Sequence, residues 1–129
     1  MKPFVFICMP ITPRSVVKNH AVEFLENVRQ GVLVAKELIE LGACVYCPAN
    51  DFVYWLVGAG PSMEQIYKQD LSLIQHSDAL VVLPGWDSSE NCRREINTAR
   101  NGGLLVFFYP SEIEKIDTFI REWKGYSNG

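Results

Sequence analysis

Four short apolar runs, at residues 3–8, 43–47, 79–83 and 104–109, alternate with stretches whose apolar residues recur at helical spacing. That alternation constrains the fold more than any other feature of the chain. A run of consecutive apolar residues, as opposed to an every-other pattern, suits a strand buried on both faces. Between the first two runs, residues 18–41 carry Ala21, Phe24, Leu25, Val28, Val32, Ala35, Leu38 and Ile39 at helical spacing, and Gly42 follows as a stop. Ser62 is placed to cap a helix reaching about Gln75, and another helix runs from about Ser89 to the stop at Asn101, Gly102 and Gly103. Residues 111–124 have the pattern of a final amphipathic helix. The aromatic-rich stretch 49–61 has no assignable period and reads as a loop or a lid.

Strand and helix in alternation predict an α/β fold of one domain. Its expected form is a doubly wound, flavodoxin- or Rossmann-like parallel sheet of four to five strands, order 2-1-3-4, with helices on both faces. In such a sheet, ligands bind beyond the carboxyl ends of the strands where the winding reverses, here between strands one and three. The loops that matter are then 9–15 and 84–91.

The 129 residues carry a net charge of −3 with scattered Lys and Arg, which argues against a nucleic acid polymer as partner and leaves a small anionic ligand open. The apolar start of the chain is broken at Pro10, too early for a signal peptide, and no segment has membrane-spanning length. The expectation is a cytoplasmic protein without a membrane partner. Cys8, Cys44, Cys47 and Cys92 read as small core residues of a reducing compartment. Cys44 and Cys47 fall on opposite faces of one strand, and His20 and His76 add no ligand spacing, so no metal and no redox cofactor is expected.

Two carboxylates sit where apolar residues belong. On the helix after strand three, Cys92, Ile96 and Ala99 define the inward face, and Glu95 lies three residues after the first and four before the last. On the preceding helix, Asp70 takes the i+7 place in the stripe of Met63, Ile66, Tyr67, Leu71 and Ile74. Burying a carboxylate costs several kcal/mol unless it is paired. One explanation is structural, with Arg93, Arg94 or Arg100 tying the layers together. The other is chemical: two convergent carboxyls about 5 Å apart are what a retaining glycosyl transfer needs, one as nucleophile and one as proton donor. Beside them, residues 83–91 deliver hydroxyls and backbone N–H groups to a helix start, an anion-attracting place. Asp87 with Glu90, or Ser88 with Asn91, would equally make an ordinary cap. Trp86, next to Gly85, is open to stacking on a base or to anchoring the loop.

Tyr67-Lys68-Gln69-Asp70-Leu71, Ser77-Asp78 before the third strand, and Ser89 six residues ahead of Glu95 with Ala99 beyond resemble the nucleoside 2-deoxyribosyltransferase-like superfamily. The run from Leu83 to Ser89 is more similar to its branch known as domain of unknown function 4406, and the likeness extends over residues 4–109. The resemblance implies that Glu95 attacks the anomeric carbon and holds the sugar as an ester, that Asp70 lies near the leaving base, and that Ser89 contacts a 5′-phosphate. It places Asp87 near another active-site acid and adds Ser88, Asn91, Trp86, Gly85, Met9, Pro10, Thr12 and Arg14 as substrate-binding positions. The sequence departs from the family in its first loop, Met9 to Thr12 with Arg14 as the nearest cation, where the family is often Gly-rich and basic. It departs again at Asn91, where the family commonly has Gly.

The function expected is cleavage or transfer of the N-glycosidic bond of a (deoxy)nucleoside 5′-monophosphate, with no cofactor. The resemblance further implies a homodimer or larger homo-oligomer, and Phe52, Tyr54 and Trp55 are interface candidates. The alternatives are a non-catalytic nucleotide sensor of the same fold, a structural interaction protein, and a lysine-decarboxylase-like phosphoribohydrolase, whose denser Gly and Thr pattern is missing here.

Overall fold

The computed structural model describes residues 1–12 and 19–125, Trp55 by its backbone only. Its centre is a sheet of four parallel strands, β1 (Phe4–Cys8), β2 (Cys44–Tyr46), β3 (Ala79–Val82) and β4 (Leu105–Phe108), in the order β2-β1-β3-β4. The expected order is the observed one, and the strand count settles at four. Register pairs Phe4 with Cys44, Val5 with Ala79 and Ala79 with Leu105.

The period of two divides each central strand between two cores. Val5, Ile7, Ala79 and Val81 face one side and pack with Val34, Ala35, Leu38, Ile116 and Ile120 from helices α1 (His20–Leu41) and α5 (Ile113–Arg121). Phe6, Cys8, Leu80 and Val82 face the other and meet Ile74 of α3 (Met63–Gln75) and Cys92, Ile96 and Ala99 of α4 (Glu90–Asn101). Because helices cover both faces, β1 and β3 have no residue that tolerates polarity, which is why they read as unbroken apolar runs. The edge strands are partly open, and Leu105 of β4 is half exposed.

Local chemistry sets the helix ends. Asn19 accepts from the N–H groups of Ala21 and Val22 to start α1, and Gly42 ends it at φ 113°, where any side chain would be strained. Ser62 and Gln65 form a reciprocal capping box at α3. Residues 49–61 are not a structureless loop: a 3-10 turn, Pro48–Asp51, leads into a short helix, α2 (Phe52–Val57). Cys44 is exposed and Cys47 buried, as opposite faces require, and Cys8 and Cys92 are buried. Among the described residues, no helix is long and apolar enough to cross a membrane.

Candidate active site

Every strand is parallel, so the segments leaving β1, β2 and β3 emerge at one edge of the sheet, and a cleft opens there. Its free space is about 510 Å³, the open mouth included. Met9, Ile11 and Thr12 come from the loop after β1, and Pro48 and Asp51 from the turn after β2. The stripe of α3 contributes Met63, Ile66, Tyr67 and Asp70 at helical spacing, and the first turns of α4 contribute Ser89, Asn91 and Glu95. Of the residues singled out in the sequence, six therefore meet here: Met9, Thr12, Asp70, Ser89, Asn91 and Glu95.

The rest lie elsewhere. Gly85 holds a left-handed φ of 91° against Pro10, whose Cγ would come within 3.2 Å of an added side chain, so the first and third loops pack together behind the cleft. Trp86 packs on Phe108 with ring centroids 5.5 Å apart, which makes it a loop anchor. The side chains of Asp87 and Ser88 are exposed. Asp87 uses its carbonyl to accept from Arg93 Nη1 at 2.6 Å, and the Ser88 hydroxyl donates to the Gly85 carbonyl at 3.1 Å. Neither caps α4: that role belongs to Ser89, whose Oγ accepts from the Cys92 N–H at 3.2 Å. Arg14 lies outside the described residues.

Glu95 and Asp70 are each 3 % exposed. Among the described residues no arginine is bonded to either: Arg93 is engaged with the Asp87 carbonyl, Arg94 pairs with Glu90, and Arg100 is exposed. Glu95 Oε2 accepts from Asn91 Nδ2 at 3.4 Å, one turn earlier on α4. Burial pushes the Glu95 carboxyl well above the usual carboxylate range, and Cys92, Asp70 and Asp51 push the same way, while a hydrogen bond from Cys8 opposes them. Asp70 is pushed up to about 8, first by burial and then by its hydrogen bond with Asp51 and the charge there. Its Oδ1 is buried without a hydrogen-bond partner.

Asp51 is the residue that sequence reasoning missed. It is 4 % exposed, ends the turn after β2, and accepts a short hydrogen bond from the Tyr46 hydroxyl on Oδ1. The legible signal was an acidic residue just beyond the carboxyl end of a strand, in a segment otherwise apolar and aromatic. Beneath Glu95, Cys8 and Cys92 complete a buried group whose ligand atoms lie within 4.8 Å of one another, a set of the kind a soft cation would choose. The contact with Cys92 and then burial hold the Cys8 thiol protonated, and the Cys8 hydrogen bond lowers the pKa of Cys92.

The cleft thus gathers three buried carboxyls, and none of its described lining residues is Lys, Arg or His. Three like charges do not ionise together in so small a dry space, so protons are shared among them. Such a site offers an anionic nucleophile and a proton donor side by side. Residues 9–108 match the family described as Domain of unknown function (DUF4406). No curated protein matches the chain. The chain belongs to the DUF4406 family.

Proposed function

We propose that this DUF4406 domain cleaves or transfers the N-glycosidic bond of a (deoxy)nucleoside 5′-monophosphate through a covalent ester on Glu95. The observation that carries the reading is the convergence of Glu95 and Asp70, buried on two helices, on one cleft at the switch point of the sheet with no basic residue in its described lining. A carboxylate on Glu95 attacks C1′ and forms a C1′–O bond as the C1′–N bond breaks. The bonding pair leaves with the base nitrogen, which takes a proton from Asp70. Water then attacks C1′ and frees Glu95, making a hydrolase; a second base in place of water makes a transferase. The resemblance of Tyr67 to Leu71 and of Ser89 to Ala99 to the nucleoside 2-deoxyribosyltransferase-like superfamily implies the same roles for Glu95 and Asp70.

Ser89 supports a phosphate at the other end of the substrate. Its Oγ accepts from Cys92 N–H, which leaves the hydroxyl proton to donate, and α4 presents its N-terminal end there. A homodimer fits the apolar surface: Leu25 of α1 and Leu56 and Val57 of α2 are 60 %, 68 % and 70 % exposed.

A second reading, a non-catalytic nucleotide sensor, draws on the burial of Glu95, which favours its protonated form over the carboxylate a nucleophile needs. One experiment separates the two. The protein and its Glu95→Gln variant are incubated with ribo- and deoxyribonucleoside 5′-monophosphates and the matching nucleosides, with and without acceptor bases, and free base is followed by chromatography. Release by the wild type that is lost in the variant supports the glycosidase. Tight binding that survives Glu95→Gln, with no base released or exchanged, supports the sensor.

A further inference from the structure

Asp51 is a buried acid to which the sequence assigned no role, yet it faces Asp70 inside the cleft. Both are buried and line the same cleft, and two carboxyls set side by side in such a place bond to each other only when one of them carries a proton. Tyr46 decides which. Its hydroxyl donates to Asp51 Oδ1, and a donated hydrogen bond favours the ionised form, so the proton resides on Asp70. Asp70 Oδ1 is buried, without a partner, in a residue that lines the cleft, and such an atom has a place waiting for a polar group of a ligand.

We propose that Asp51 is a positioning residue that holds a shared proton on Asp70, with Tyr46 fixing its direction, so that Asp70 can hand that proton to a departing base nitrogen. The inference rests on the glycosidase reading for its last step only; the shared proton rests on the burial of both acids in one cleft and on the Tyr46 hydrogen bond. The charge balance favours the arrangement. In the reacting form, Glu95 and Asp51 are carboxylates and Asp70 is neutral. After ester formation Glu95 is neutral and Asp70 has given up its proton, so the three groups together keep two negative charges. When water attacks the ester, its proton returns to the pair and the Glu95 carboxylate is restored. No net charge is created in the buried cleft at either step, which avoids the largest electrostatic cost a dry site imposes.

The ionisable groups around the pair come from every neighbouring element: Tyr46 from β2, Tyr54 from α2, Tyr67 from α3, and Glu95 with Cys92 from α4 and Cys8 from β1 below it. All of these are acids, so none of them supplies a positive charge that would ionise Asp70.

The test begins on the free protein, where no substrate is needed. With aspartate labelled by carbon-13 at the carboxyl, NMR titration is expected to show one carboxyl ionising at about 8, which disappears in Asp70→Asn. Asp51→Asn removes the partner charge and should lower that value by at least ~1 pH unit, a tenfold loss of proton affinity. Tyr46→Phe removes the hydroxyl that favours an Asp51 anion and should move it the opposite way, which keeps the test usable if Asp51→Asn does not fold. Where base release is measured, the alkaline limb of the kcat profile should move down with Asp51→Asn while glycosyl-Glu95 still forms. A carboxyl that stays in place in both variants overturns the shared proton. A fall in kcat with an unmoved alkaline limb overturns the positioning role. Opposite shifts in a protein that releases no base would uphold the pair and count against the glycosidase reading instead.

Discussion

The two faces of the sheet are built from the same strands and differ in what they tolerate. Toward α1 and α5 the buried side chains are apolar, from Val5 and Ile7 through Leu38 to Ile116 and Ile120. Toward α3 and α4 an equally apolar floor of Phe6, Leu80, Val82 and Ile96 gives way, at the carboxyl edge, to Asp70 and Glu95, with Asp51 beside them. Burial without charge is what stability alone would select, so one layer holds the fold together. The other layer carries buried acids, groups that are costly to bury, and the proposed chemistry is placed on them for that reason.

The largest expected effect tests the acid-bearing layer. Glu95→Gln should lower base release by ~10³-fold or more in a chromatographic assay, and a similar loss on replacing the exposed Asp87 would erase the distinction between cleft and turn. In the apolar layer, Leu38→Ala should cost about 2–5 kcal/mol in urea unfolding, through lost contacts and a cavity. Asp70→Asn should act with the opposite sign. Asp70 is neutral in the fold up to about 8 and ionised in the unfolded chain above the ordinary carboxylate range, so the folded state binds more protons across that window and loses stability as pH rises through it. The asparagine variant is free of this loss. Its unfolding free energy in urea should match the wild type near pH 4 and exceed it increasingly toward pH 8, by on the order of 1–2 kcal/mol; a wild type that gains stability over the same range would remove the contrast between layers. The smallest effect belongs to the helix start, where Ser89→Ala should lose about 1 kcal/mol of stability with the cap, and weaken monophosphates more than nucleosides in a binding titration.

Much of the frame was legible because it depends on local period. Continuous apolar runs located β1 and β3, Gly42 located the end of α1 and Ser62 the start of α3, and the spacing of Asp70 and Glu95 put both on inward faces. The turn after β3 was less legible. Asp87, Ser88 and Ser89 are all fit to cap a helix, and the choice of Ser89 depends on how the 3-10 turn Trp86–Ser88 aims the chain into α4. Trp86 was ambiguous for the same reason, since its partner Phe108 lies on another strand.

The sequence by itself determined the layers, the strand order and the two helix faces that carry acids, because hydrophobic period and capping act between neighbours along the chain. Only the tertiary structure decided that Asp51 joins them. Its segment has no period to read, and its partners Tyr46 and Asp70 are brought to it by the end of β2 and the packing of α3. Proton sharing depends on distance and dryness in three dimensions, and neither is written in the spacing of residues along a chain.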